Sequence, residues 1–383
     1  MKTSLRRAVV PGVAALALAG SLAACGSSSD DASSTDSSAP ATASGAAAAA
    51  AASSSAPAVN NSGTLTGGGS TAQGSAQVQW ATDFQSKNSG TTITYNQVGS
   101  GAGRTSFESG AYTFAGSDAY ITDPTEYASA KKACGADPIE VPDYVDPIAI
   151  VFNLQGVKSL NLDGPTIAKI FAGKITTWDD PAIKSQNPGV NLPSTQIQPV
   201  HRSDDSGTTQ NFVDYLSQAG GGAWTSPVSQ TWPTTSGLNG NGTSGVVTTA
   251  QGTDGSIAYV DASKAGGFGV VSVKVGNTYV TPSADTAASD LAASKLDPTA
   301  KAGQLNYKIN RTSTDPKNYP VLLVSYLIAC PTYSNSGVAS LVKNYLTYIV
   351  SADGQASGSK ASGAAPLPDA ISAKATKILS AIK

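Results

Sequence analysis

A chain of 383 residues, 40% of them hydrophobic, is long enough to bury a sizeable core and more than one domain. Its 24 basic and 26 acidic residues leave it near neutral, which excludes the broad basic surface that nucleic-acid binding needs. The single histidine leaves little material for a histidine-based catalytic centre, and no metal-ligand cluster or cofactor motif is visible.

Residues 1–24 read as a signal peptide. Lys2, Arg6 and Arg7 make a basic start, residues 9–19 a short apolar run, and Leu22-Ala23-Ala24 sets small residues just before Cys25. That run resembles a bacterial lipobox, which implies cleavage before Cys25 and a lipid on its thiol. Residues 25–62 are almost all Ser, Ala, Thr, Asp, Gly and Pro, too poor in apolar surface to order themselves, and read as a flexible tether. An oxidising compartment invites Cys134 and Cys330 to pair; two separate buried thiols are the alternative.

The ordered part is expected to begin near Leu65. A glycine-rich turn at 67–71 leads into a helix carrying Ala76, Trp80 and Phe84 at four-residue spacing. An alternating strand at 92–98 precedes a second glycine-rich turn at 99–103 and a short helix to Gly110, on which Arg104 reads as a solvated residue. A strand at 112–115 ends in Gly116-Ser117-Asp118, and a helix spans 124–132. Strands are expected at 139–141 and 148–152, the second a continuous apolar run typical of a sheet buried on both faces. Helices at 165–171 and 181–186 follow, then a short strand around Ile197, Pro199 and Val200.

The next stretch runs His201-Arg202-Ser203-Asp204-Asp205-Ser206-Gly207-Thr208, before a helix marked by Phe212, Tyr215 and Leu216. Free N–H groups, small hydroxyls and a nearby guanidinium at a helix start form a ready-made anion site. An ordinary N-cap at Asp204, Asp205 or Ser206, with Arg202 paired to a carboxylate, is the plainer reading. Residues 219–256 are expected to be long loops; strands follow at 256–260, 269–273 and 320–328, and helices at 286–296 and 369–382. Val338, Leu341, Val342, Tyr345, Leu346 and Ile349 form a clear helical stripe. Strands alternating with helices make the chain α/β.

Three Gly- or Ser-rich strand-to-helix turns, around Thr71, Ser100 and Ser206, would each set hydroxyls and unpaired N–H groups at the binding edge of an open sheet. Asp118 ends a strand in the same register. A carboxylate only accepts, so beside a protonated oxyanion it is favourable, and beside fully ionised sulfate it meets only lone pairs. The plainer role for Asp118 is to cap the following helix, which Ser117 or Asp123 could do instead.

The segments Leu65-Thr66-Gly67-Gly68-Gly69-Ser70-Thr71, Gly99-Ser100-Gly101-Ala102-Gly103, Ala115-Gly116-Ser117-Asp118 and 201–208 resemble, in order and spacing, the phosphate-binding proteins of ABC transporters, the PstS family. Segments 174–183, 187–193 and 255–259 are similar to that family as well, and the leader and tether resemble those of its actinobacterial lipoproteins. The resemblance implies a two-lobed periplasmic-binding-protein fold of type II, each lobe a mixed sheet flanked by helices, with two crossover strands as hinge. Residues 63–147 and 321–383 would form one lobe and 148–320 the other. It also implies a ligand set: the Thr71 hydroxyl, the Ala72 N–H, Ser100, Arg202 held by Asp204, and Ser206, Gly207 and Thr208, with Asp118 accepting the ligand's proton. Ala72 stands where many relatives carry phenylalanine, and Asp205 where glycine is usual. The implied function is high-affinity phosphate capture at the outer face of the cell membrane. Delivery to an ABC permease and its ATPase would follow, by a lipid-anchored monomer that is not an enzyme. A receptor for another oxyanion is one alternative. A secreted serine hydrolase with Ser206 as nucleophile and His201 as base is the other, and it lacks the Gly-x-Ser-x-Gly elbow.

Overall fold

A computed structural model describes residues 61–234 and 236–383. The expected signal peptide, the lipidated Cys25 and nearly all of the tether lie outside the described residues.

The first third alternates strand and helix: β1 (Gly63–Gly69), α1 (Gly74–Lys87), β2 (Thr91–Gln97), α2 (Ser100–Glu108), β3 (Phe114–Ser117) and α3 (Pro124–Cys134). β1 lies between β2 and β3 and is parallel to both, so the turns after β1, β2 and β3 all emerge at one sheet edge. The expected cap of α3 is Asp123, whose carboxylate accepts the Thr125 and Glu126 N–H groups at 2.7 and 3.0 Å. Asp118 is therefore not needed for capping.

A single long strand, β4 (Ile139–Asn153), replaces the two short strands expected at 139–141 and 148–152. Pro142 and Pro147 argued for a break because each lacks an N–H. The ladder absorbs them. Opposite β4 the register shifts by one residue between Ser325 and Tyr326, leaving Asp143 without a cross-strand partner, while Pro147 falls at the ladder's end.

Then come β5 (Ser159–Leu162), α4 (Gly164–Phe171), α5 (Pro181–Lys184), β6 (Gln198–Arg202), α6 (Gly207–Ala219), β7 (Leu238–Gly240), α7 (Gly242–Gln251) and β8 (Ser256–Asp261). After them run β9 (Gly269–Val275), β10 (Thr278–Val280), α8 (Ala284–Ala293), β11 (Lys295–Leu296) and β12 (Tyr307–Lys308). β13 (Leu322–Ala329), α9 (Ser336–Val350), α10 (Ala352–Ser362) and α11 (Asp369–Leu379) close the chain.

The strands form a curled mixed sheet in two halves that share β4. One half runs β2-β1-β3-β13-β4, with β13 antiparallel to β4 as far as Pro147. The other runs β4-β8-β6-β7, with β8 antiparallel to β4 from Ile148 onward, and β9 also on β4. Where the two meet, the Ile148 N–H donates to the Val321 carbonyl at 2.8 Å. The result is a two-lobed mixed α/β molecule. Because β4 serves both halves, nearly all its side chains are buried, which is why its apolar residues do not alternate.

Two helices escaped the sequence reading. Residues 219–256 hold β7 and α7 as well as loops, and α7 has few large apolar residues to mark its face. It packs by close backbone approach: a Cβ on Gly240 would lie 2.2 Å from the Gly245 carbonyl carbon. α10 is built largely from Gly, Ser and Ala, and its anchor is a hydrogen bond from Trp80 Nε1 to the Gly354 carbonyl at 2.6 Å. The expected stripe on α9 is buried almost throughout, as its spacing required.

Cys134, the last residue of α3, and Cys330, just past β13, form a disulfide that closes a loop of sequence separation 196, so the two-thiol alternative falls away. Replacing both cysteines by serine is expected to cost on the order of 2–5 kcal/mol. A thermal unfolding curve would show this as a lower melting temperature, and an unchanged curve would mean that the crosslink adds nothing.

Candidate functional site

Three of the turns singled out above converge, joined by a fourth. Asp118 follows β3 directly and is 2% exposed. Its Oδ2 accepts from Ser70 Oγ at 2.6 Å and from Thr208 Oγ1 at 3.3 Å, and its Oδ1 accepts from Ser325 Oγ at 3.0 Å. Ser100, the first residue of α2, accepts the Asp118 N–H on its hydroxyl at 3.2 Å. Burial pushes the Asp118 carboxyl up to about 6; the Ser70 hydrogen bond opposes this, and Asp261 adds to it.

The other lobe faces this carboxyl with the start of α6. A Cβ on Gly207 would sit 2.8 Å from Asp118 Cβ and 2.9 Å from Ser100 Oγ, so only glycine lets the lobes meet this closely. Asn211, one turn further along α6, donates to the Asp118 carbonyl at 2.6 Å and to the Gly207 carbonyl at 2.9 Å. Ser206 caps α6 by accepting the Thr209 N–H at 3.2 Å, so the plain N-cap reading of this residue is correct as far as it goes.

Arg202 ends β6 and is 3% exposed. Asp204 takes its Nε at 2.7 Å on Oδ1 and its Nη2 at 2.5 Å on Oδ2, a two-pronged grip that sets the guanidinium plane. Although burial opposes ionisation, the Arg202 fork and the Gly242 N–H at 2.9 Å hold the Asp204 carboxyl below its usual range. Tyr259 locks the base of this turn, accepting the Arg202 N–H at 3.1 Å and sharing a hydrogen bond with Thr209 Oγ1 at 2.7 Å.

Thr71 reaches across to the fourth turn, at the start of α7: its Oγ1 lies 3.1 Å from Thr243 Oγ1 and accepts the Thr243 N–H at 3.2 Å. The Ala72 N–H donates to Ser70 Oγ at 3.0 Å. Apart from Asp118, which follows β3, the residues expected in the ligand set thus sit on or beside the turns that follow β1, β2 and β6, and the α7 turn adds Thr243. Asp205 turns away: its carboxylate accepts from Thr231 Oγ1 at 2.5 Å, and its carbonyl takes the Gly101 N–H across the cleft at 3.2 Å.

Arg104 corrects an expectation. It is 1% exposed, not solvated, with Nε on Glu126 at 2.6 Å and Nη1 on Ser117 Oγ at 2.6 Å. Helix α3 covers it, which no pattern within α2 announces. His201 stacks on Trp232 with ring centroids 5.0 Å apart, and its Nδ1 lies 2.9 Å from the Arg202 carbonyl oxygen. Neither contact directs it toward Ser206, and burial lowers its proton affinity.

Ser70, Ser325, Thr243, Asn211 and Tyr259 had no role assigned from the sequence. Ser325 did leave a signal, as the one small polar residue inside the apolar run 320–328. Such a residue needs a buried partner. Among the described residues, no group of three or more His, Cys, Asp or Glu is placed to hold a metal ion.

A model of the PBP superfamily domain matches residues 37–353. Phosphate-binding protein PstS 2 of Mycobacterium tuberculosis (strain H37Rv) is 36% identical over 323 residues, covering 82% of this chain and 85% of the relative. Phosphate-binding protein PstS 3 of the same strain is 35% identical over 317 residues, with 82% and 85% covered. The fold is shared with a high-affinity periplasmic phosphate-binding protein (PfluDING) solved with phosphate, at 24% identity and a TM-score of 0.66, over 82% of this chain and 92% of that one. It is shared as well with a protein from Clostridium perfringens solved with bound phosphate, at 19% identity and a TM-score of 0.55, over 78% and 97%. Matched to these relatives over 82% of its length at 35–36% identity, the chain belongs to the PstS family of phosphate-binding proteins within the PBP superfamily.

Proposed function

We propose that the protein captures inorganic phosphate outside the cell and hands it to the permease of an ABC transporter, acting as a receptor and not as an enzyme. The observation that carries this reading is Asp118: a carboxylate buried where donor-rich turns of both lobes meet, with hydroxyls on both its oxygens. Arg202, the hydroxyls of Thr71, Ser100, Ser206 and Thr208 and the N–H groups of Gly207 and Thr208 supply the donors that a tetrahedral anion needs, while the Ala72 N–H is given to Ser70 Oγ instead. Asp118 accepts from the anion's own proton, which HPO₄²⁻ and H₂PO₄⁻ carry and sulfate lacks. Asp204 aims Arg202.

The lobes divide at Pro147–Ile148 in β4 and near Val321 on the return strand, where β4 changes partners, and these two crossings form the hinge. Residues 63–147 with 321–383 then close on residues 148–320 and exclude water. Cleavage before Cys25 and lipidation of its thiol would hold the receptor at the membrane. The hydrolase alternative is disfavoured because the one histidine is committed to Trp232 and to a backbone carbonyl.

Calorimetric titration with phosphate, arsenate and sulfate tests the reading. Phosphate and arsenate, both protonated at neutral pH, are expected to bind and sulfate to be rejected; equal affinity for sulfate and phosphate would remove Asp118 as the discriminator. Asp118→Asn should keep the fold and admit sulfate, because an amide can donate where a carboxylate cannot.

A further inference from the structure

The hydrogen bonds behind Asp118 have fixed directions. Ser70 Oγ accepts two backbone N–H groups, from Ala72 at 3.0 Å and Gln73 at 3.3 Å, which can only donate. Its own proton is left for Asp118 Oδ2, at 2.6 Å. Ser325 is oriented the same way. Gln73 Nε2 donates to Ser325 Oγ at 2.7 Å and to the Tyr326 carbonyl at 3.1 Å. A carbonyl can only accept, so the Gln73 amide cannot be turned round; Ser325 Oγ takes that N–H and donates to Asp118 Oδ1 at 3.0 Å, with the Asp143 carboxyl beside it as the other acceptor. Both serines are fully buried, and neither is in the proposed ligand set.

This matters because the surroundings favour a protonated Asp118. Asp261 on β8 and Asp143 and Asp146 on β4 face it with acid groups, as do the phenols of Tyr95 on β2 and Tyr144 on β4. Arg202 on β6 is the one cation among them. A protonated Asp118 would be a donor and would welcome sulfate.

Resting on the phosphate reading above, we propose that Ser70 and Ser325 are specificity-determining residues: their two hydroxyl donors hold Asp118 in its accepting form, so only an oxyanion that brings its own proton is taken. They act through Asp118 and are positioning residues. Removing hydrogen bonds made to the charged form of an acid makes its proton harder to lose.

The test is the pH profile of sulfate competition against phosphate, measured on the full chain. Sulfate binding requires protonated Asp118, so it strengthens as pH falls and levels off below the carboxyl's pKa. In the parent protein this change is centred near pH 6, where burial places the group. In Ser70→Ala/Ser325→Ala the midpoint should move up by about one pH unit or more, roughly a fivefold or larger gain in sulfate competition at pH 7. The readout is the midpoint, which loss of affinity alone does not move.

A double-variant profile superimposed on the parent's overturns the inference while leaving the phosphate reading intact. Absence of phosphate binding in the parent overturns that reading instead. Asp118→Asn should bind sulfate without this pH dependence; a parent-like profile there would mean that another group titrates, and the inference falls. If the double variant does not fold, Ser70→Ala and Ser325→Ala singly must each move the midpoint upward, and no movement in either is a refutation.

Discussion

Replacing Arg202 by alanine is expected to weaken phosphate binding at least a hundredfold, about 3 kcal/mol or more. Two losses combine. The ligand loses its strongest charge-assisted donor inside a buried site, and Asp204, which receives Nε at 2.7 Å and Nη2 at 2.5 Å, is left without its counter-charge and with only the Gly242 N–H. Arg202→Lys should recover little, because an ammonium cannot satisfy the two carboxylate oxygens in one plane and still reach the ligand. Calorimetry on both variants checks this, and near-parent affinity in either would take Arg202 out of the binding set.

Gly207→Ala should separate binding from folding. Gly207 opens α6 without a positive φ, so alanine suits its backbone, and helix propensity favours the change. The added methyl has nowhere to go in the closed arrangement: it meets Asp118 Cβ at 2.8 Å and Ser100 Oγ at 2.9 Å, both belonging to the opposite lobe. Relieving that contact means leaving the lobes slightly apart. Overpacking of this kind costs about 1–3 kcal/mol, which converts to roughly 5- to 150-fold in affinity. The melting temperature without ligand should stay near the parent's. An unchanged dissociation constant would show that the lobes need not approach so closely to hold phosphate.

The parts of this molecule that were legible in the sequence share a cause: each is a local pattern with a local physical reason. The glycine-rich turns after β1 and β2, the Asp-Asp-Ser-Gly-Thr run before α6 and the stripe on α9 could be read because spacing alone carries them. What was hidden depends on chain segments far apart. Ser325 lies 207 residues from Asp118, and Thr243 lies 172 from Thr71. Arg104 reads as a surface residue until Glu126 and Ser117 are seen to enclose it. The continuity of β4 through its prolines was hidden because the extra residue at Asp143 beside Pro142, and the change of partners at Pro147, show only once the facing strands are in place. Helix α7 stayed hidden for a related reason: it packs closely backbone to backbone at Gly240 and Gly245, and Val246 and Ala250 are too few to announce its face.

The account stands on one claim, that the turns of both lobes grip a single tetrahedral anion while Asp118 accepts its proton. A crystal structure of the protein grown in saturating phosphate tests it most directly. It should show one phosphate touching Thr71, Ser100, Arg202 and the Ser206–Thr208 turn, with one oxygen hydrogen-bonded to the Asp118 carboxylate. Phosphate bound elsewhere, or a cleft without it at saturation, would contradict the account.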